Sequence, residues 1–441
     1  MSTFWCEHAV LPGGARRHVR VTTERGRILE VLAEQPMQPG DTVLRGLVLP
    51  GLANAHSHAF HRALRGRTHG GGGNFWTWRE GMYALAGRLD PDSYRALATA
   101  VFAEMVLAGY TAVGEFHYLH HGTGGTPYDD PNAMGLALVD AARAAGIRLT
   151  LLDTVYLSGG LTGSGHVPLD EVQQRFSDGS AEGWLERVSA LDADEDWRVG
   201  AAVHSVRAVP LDDLAVVGDV AAREHWPLHA HVSEQPGENL ACESFYGRTP
   251  TRLLAEEGLL TAETSLVHAT HLTDDDIGII GGVEATAVFC PTTERDLADG
   301  IGPARALADA GAHLAVGSDQ HAVVDPFEEV RGVEMHERLT TLERGRFAPL
   351  DLLAMGTLDG YRSLGWTDGG LVAGGHVADL VAIRTDSPRT AGAALDQVLY
   401  AATSADVTDV VVGGEHVVSA GVHRLGDVGR LLAEAISTVR R

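Results

Sequence analysis

The feature that most constrains this chain is an alternation repeated along its middle. Short apolar runs recur with amphipathic helical stretches between them, the pattern of a parallel sheet built from βα units. Eight runs are present: LVLPGLANAHSH from Leu47, TAVGEFHY from Thr111, IRLTLLDTVY from Ile147, VGAAVHSV from Val199, PLHAHVSE from Pro227, SLVHATHL from Ser265, ATAVFCPTT from Ala285 and HLAVGSDQH from His313. Helical stretches such as Ser93 to Gly109, Asn132 to Gly146 and Pro303 to Ala312 reach their ends at or next to glycine, a common helix terminator. Eight strands with intervening helices predict a (β/α)8 TIM barrel. An open doubly wound sheet shares the periodicity, but it would want GxGxxG after its first strand, where this chain has NAHSHAF.

The two chain ends have a different texture. From Val19 to Val48, and again from Gly370 onward, the chain is β-branched and punctuated by turns, before a closing helix LLAEAISTVRR. Residues 1–49 and 370–441 are therefore expected to pair into one small β-sandwich domain, with residues 50–369 inserted between them as the barrel.

Composition excludes several classes of function. Asp and Glu number 59 against 34 Lys plus Arg, a net charge of −25 that repels nucleic acid and anionic lipid. All 34 basic residues are arginine, which excludes lysine Schiff bases, pyridoxal phosphate attachment and a phosphate-loop lysine. Cys6, Cys242 and Cys290 are isolated, with no CxxC spacing, as suits a reducing compartment. No run approaches the length of a membrane span, and the start MSTFWCEHAVL lacks the basic-then-apolar pattern of a secretory signal. A cytoplasmic protein with no nucleic-acid or membrane partner is expected.

The position of the polar residues favours the closed barrel and points to its chemistry. His56 and His58 follow the first strand, two apart, so in extended chain both imidazoles can face one ion. His231 ends the fifth strand with Glu234 three residues on, His268 ends the sixth, and Asp319 ends the eighth. Only a closed barrel brings such distant strand ends around one mouth. Imidazoles and a carboxylate suit zinc or ferrous iron and leave a position for water, with His229 as the rival to His231 on the same strand face.

With these motifs in place, the chain resembles the amidohydrolase superfamily, and within it the mononuclear deaminases, from PGLANAHSH through HAHVSE, LVHATHL and VGSD to the terminal ADLV segment. The resemblance implies one divalent ion, Zn2+ or else Fe2+, held by His56, His58, His231 and Asp319. The carboxylated lysine of binuclear relatives has no counterpart in a lysine-free chain. The longer strings AHSHAFHRALRG, GGGNFWTWRE, EFHYLHH, HSVRAVP, HVSEQ and HATHLT are similar to those of deiminases that act on N-formimino-L-glutamate in histidine degradation. That similarity implies Arg79 and Arg207 as clamps for a dicarboxylate amidine, with His61, Tyr118 and His204 as further contacts, and a homodimer. Some relatives carry glutamine where this chain has His61.

In the chemistry so implied, Asp319 accepts a proton from the attacking water, Glu234 relays a proton to the departing ammonia, and His268 steadies the tetrahedral intermediate. Arginine's planar fork suits a carboxylate through two parallel hydrogen bonds. The alternatives are a guanine or aminotriazine deaminase or chlorohydrolase of the same branch, and a non-catalytic barrel scaffold. Gly70 to Gly73 are expected to form a mobile loop that closes over substrate, and Asp274 to Asp276 the solvated first turn of a helix.

Overall fold

A computed structural model describes residues 1–70 and 75–440. The expected loop therefore lies, from Gly71 to Gly73, outside the described residues. The chain opens with β1 (Ser2–Leu11), β2 (Gly14–Glu24), β3 (Arg27–Leu32) and β4 (Thr42–Pro50). The barrel strands are β5 (Leu52–Ser57), β6 (Tyr110–His117), β7 (Arg148–Val155), β10 (Trp197–Val203), β11 (Leu228–Val232), β12 (Thr264–His268), β13 (Thr286–Phe289) and β14 (His313–Val316). A short hairpin of β8 (Gly160–Thr162) and β9 (Gly165–Val167) follows β7, and β15 (Leu380–Ile383), β16 (Val407–Val412), β17 (Glu415–Ser419) and β18 (Val422–His423) close the chain's β structure.

All eight apolar runs thus become strands of one parallel sheet, in the order β14-β13-β12-β11-β10-β7-β6-β5. Strands covered on both faces read as unbroken apolar runs, and every residue of β6 and β7 is buried. The two edge strands meet at their C-terminal ends. His56 O accepts from Ser318 N at 3.1 Å and from Asp319 N at 3.0 Å, and Asp319 O accepts from His58 N at 3.1 Å. A side chain at position 317 would bring a Cβ to 2.7 Å from His56 Cβ, so the glycine of VGSD is what lets the edges approach.

The chain ends form a second sheet, β18-β17-β16-β15-β4-β1-β2-β3, in which β4 pairs parallel with β1 and antiparallel with β15. It has its own core of Phe4, Cys6, Val21, Leu44, Val48, Leu380 and Val411. The two units are tied by buried Arg148, at the start of β7, whose Nε and Nη2 donate to Asp379 at 2.8 and 3.2 Å. The closing helix Val428–Arg440 packs on the barrel helix Pro91–Ala108 and buries Val428, Leu432, Ala435 and Val439. That barrel helix is started by a reciprocal Asp90–Ser93 capping box and ended by Gly109 at φ 107°. No helix among the described residues is long and apolar enough to cross a membrane.

The expectation for Asp274 to Asp276 needs correcting in part. They do open the helix Asp274–Gly282, but Asp276 is fully buried, accepting from Thr273 N and from Thr249 Oγ1. It closes a capping box while Asp274 and Asp275 stay in solvent.

Candidate active site and metal centre

The seam between β5 and β14 places His56, His58 and Asp319 side by side, and β11 brings His231 across. His56 Nε2 and His58 Nε2 lie 3.4 and 3.5 Å from Asp319 Oδ1, and His231 Nε2 lies 3.1 Å from His56 Nε2. Two of the rings are fixed from behind by backbone carbonyls. His58 Nδ1 bonds Phe116 O at 3.0 Å, and His231 Nδ1 bonds His204 O at 2.8 Å. Each carbonyl must receive an N–H, so each of these neutral rings turns the lone pair of Nε2 inward.

Electrostatics favour the same protonation states. Burial pushes His58 down to about 3 and His231 well below its ordinary value, and it lowers His56 against the pull of Asp319. Burial by itself would raise the Asp319 carboxyl, but hydrogen bonding to His56 and the electrostatic pull of the surrounding histidine rings hold it below the usual range. His56, His58 and His231 bring three ring nitrogens within 4.8 Å of one another, and the ionised Asp319 lies beside His56 and His58, a donor chemistry that fits a divalent cation.

His229, the rival on β11, is not among these donors. Its Nε2 bonds Ser363 O at 2.7 Å inside the barrel, two residues before His231. His117, His120 and Asp153 also cluster, but Arg187 donates to both Asp153 oxygens at 2.7 and 2.9 Å and supplies the positive charge there.

His268 stacks on His231 with ring centroids 5.6 Å apart. Its Nε2 lies 3.7 Å from Glu234 Oε1 and its Nδ1 lies 3.6 Å from Glu294 Oε1. Burial opposes the charged ring, yet Glu234, Glu294 and Asp319 together push His268 up to about 10. Arg207 Nη2 donates to Glu234 at 3.2 Å, and its Nε lies 3.4 Å from Glu238 Oε2. His61 Nε2 and Tyr118 Oη are 3.0 Å apart, and His204 packs its ring 5.1 Å from that of His231.

These groups surround a cavity of about 370 Å³ at the C-terminal mouth of the barrel. Every site residue expected from sequence lines it except His56, which is fully buried behind the others. Arg79, on the helix Phe75–Ala86, enters from the loop side and donates through Nε to Tyr83 Oη at 2.7 Å. A larger cavity of about 670 Å³ opens at the opposite end, lined by Arg148, Arg198 and Trp366, and holds none of the donor set.

Sequence reasoning missed Glu238, Glu294, Tyr83, Tyr156 and Gln173, all near these groups. Glu238 carried a visible signal, since HVSEQPGE spaces it four residues from Glu234, one helical turn. Glu294 sits in the first turn of the helix after β13, where it also accepts from Cys290 N at 2.8 Å.

Known proteins match this arrangement along the whole chain. A formimidoylglutamate deiminase of Pseudomonas aeruginosa is 37% identical over 440 residues, 96% of each chain, so the similarity expected from the longer motifs holds. The crystal structure of an amidohydrolase from Brucella melitensis superposes with a TM-score of 0.90 at 32% identity, covering 100% of both chains. An adenosine deaminase from Xanthomonas campestris, solved with bound zinc, shares the fold with a TM-score of 0.83 at 24% identity, over 99% of this chain and 97% of its own. The amidohydrolase family profile matches residues 47–417, from β4 through the barrel into β17, and the chain belongs to that family.

Proposed function

We propose that this chain hydrolyses N-formimino-L-glutamate to N-formyl-L-glutamate and ammonia. The observation that carries this reading is one cavity holding two different chemistries: a cation-binding set with acid–base partners, and the guanidinium groups of Arg79 and Arg207. The first serves water attack on an amidine carbon, and the second serves the carboxylates of the substrate. The similarity to the formimidoylglutamate deiminase of Pseudomonas aeruginosa supports the same substrate.

His56, His58, His231 and Asp319 would hold the ion, which when bound lowers the pKa of a water from 15.7 to roughly 7. Asp319, kept ionised by its histidine neighbours, takes the proton of the attacking water. Glu234 passes a proton to the imine nitrogen as the new C–O bond forms, then carries the hydroxyl proton of the tetrahedral carbon to the resulting amine, so that the C=O bond forms as the C–N bond to ammonia breaks, and the proton held by Asp319 restores Glu234. His268, charged between Glu234 and Glu294, donates a hydrogen bond to the oxygen of the tetrahedral carbon. Arg79 and Arg207, with His61, Tyr118 and His204, hold the dicarboxylate end.

The reading carries with it zinc as the ion, ferrous iron being accepted by the same donors, and a cytoplasmic homodimer working in histidine degradation. Elemental analysis of the purified protein and light scattering in solution test the first and the oligomer. Ammonia release across N-formimino-L-glutamate, N-formimino-L-aspartate, guanine, adenosine and cytosine, on metal-loaded and chelated enzyme, tests the activity. Selective, chelator-sensitive release from N-formimino-L-glutamate is expected, and preferential release from a purine would sink the substrate assignment.

A further inference from the structure

Resting on that reading of the cavity, we infer that Tyr156 is a further substrate contact whose hydroxyl donates a hydrogen bond to a substrate carboxylate. Asp170 N donates to Gln173 Oε1 at 2.9 Å, which fixes which end of the Gln173 amide carries hydrogens. The Gln173 Nε2 then faces Tyr83 Oη at 2.9 Å, Tyr156 Oη at 3.0 Å and Gly159 O at 3.1 Å, so toward Gln173 both hydroxyls stand as acceptors.

Tyr83 Oη also receives Arg79 Nε at 2.7 Å, so it is approached by two N–H donors. The Tyr156 hydroxyl lies 3.4 Å from that oxygen, a long contact to an acceptor already served by two shorter donors. Tyr156 Oη is thus met by a donor at 3.0 Å, while among the described residues its own hydrogen has only the long Tyr83 contact. The ring is held by edge contacts with His204 at 4.5 Å and Phe176 at 5.3 Å, which keeps the hydroxyl in place. Tyr156 lies at the end of the β7 strand's extension, 3% exposed, and lines the same cavity as Arg79, His204 and Arg207. An oriented O–H donor beside two arginines matches an anionic acceptor, and a carboxylate of the substrate is that acceptor.

Tyr156→Phe keeps the ring and removes only the donor. The variant is expected to lose about 10- to 100-fold in kcat/KM on N-formimino-L-glutamate, chiefly through KM. On N-propylformamidine, which has no carboxylate, variant and wild type should be equal. Equal kcat/KM on the dicarboxylate, or equal losses on both substrates, would overturn the assignment. Calorimetric binding of glutarate separates this contact from the choice of substrate. If wild type binds glutarate about tenfold or more tightly than the variant, the contact stands even where formimino-glutamate is not turned over. If both bind it alike, or neither binds it, the contact falls.

Discussion

Arg207 Nη2 lies 3.2 Å from Glu234 Oε2 while the Nε of the same guanidinium lies 3.4 Å from Glu238. The residue expected to hold the substrate's acid end is therefore also the cation that stands between two buried carboxylates, one of them the proposed proton carrier. Under the proposed function, an incoming substrate carboxylate would join this group as a third anion, and binding and proton transfer would be coupled through one side chain.

Truncation at Arg207 should accordingly be more costly than loss of a simple clamp. Arg207→Ala leaves Glu234 and Glu238 buried without their partner, and breaking a buried pair from one side costs about 3–5 kcal/mol. Urea denaturation should register a loss of that order, and kcat should fall along with a rise in KM. A rise in KM alone, at unchanged stability, would place the partner of Glu234 elsewhere.

Asp319→Asn tests the centre. The amide retains shape but loses the charge that both the cation and the attacking water need, so turnover should fall by about a thousandfold or more and bound metal should drop with it. Full activity at full metal content would remove Asp319 from both roles.

Glu234→Gln separates proton transfer from metal binding. Metal content should stay at the wild-type level while kcat drops about 100- to 10,000-fold, the usual range for removing a general acid–base group. Loss of metal in this variant would instead make Glu234 part of the donor set.

The metal-free protein should show a two-sided pH dependence of stability. His56, His58 and His231 are held below 6.5 by burial, His58 at about 3, so the unfolded chain takes up protons first as the solution becomes acid. Their contribution is complete above pH 6.5 and is lost as pH falls from there toward 3. His268 is raised to about 10 by its carboxylate neighbours, so its contribution is complete below pH 6.5 and is lost as pH climbs toward 10. Urea midpoints measured from pH 4 to 10 should trace a dome, and His268→Asn should flatten its alkaline side. An alkaline side unaltered by that substitution contradicts the Glu234–His268–Glu294 arrangement.

What could be read from the sequence were groups bound to strand ends, because a barrel dictates where those ends go. His56, His58, His231, His268 and Asp319 each sit at or just after a run whose apolar pattern was plain, so their convergence followed from topology. His229 shows where pattern stops short: it shares a face with His231, but its height in the barrel, and hence its bond to Ser363 O, is set by packing. Tyr83, Tyr156 and Gln173 lie on three separate segments after β5 and β7, and nothing local to any one of them announces the other two. Asp276 differed from its two acidic neighbours through Thr249, a contact 27 residues away.

The edges of the barrel join through the backbone of His56, His58, Ser318 and Asp319, the same stretch that carries three of the four proposed ion donors. During synthesis, the first two of those donors leave the ribosome some 260 residues before the last. The full four-donor set proposed for the cation is therefore complete only once the final barrel strand has docked against the first.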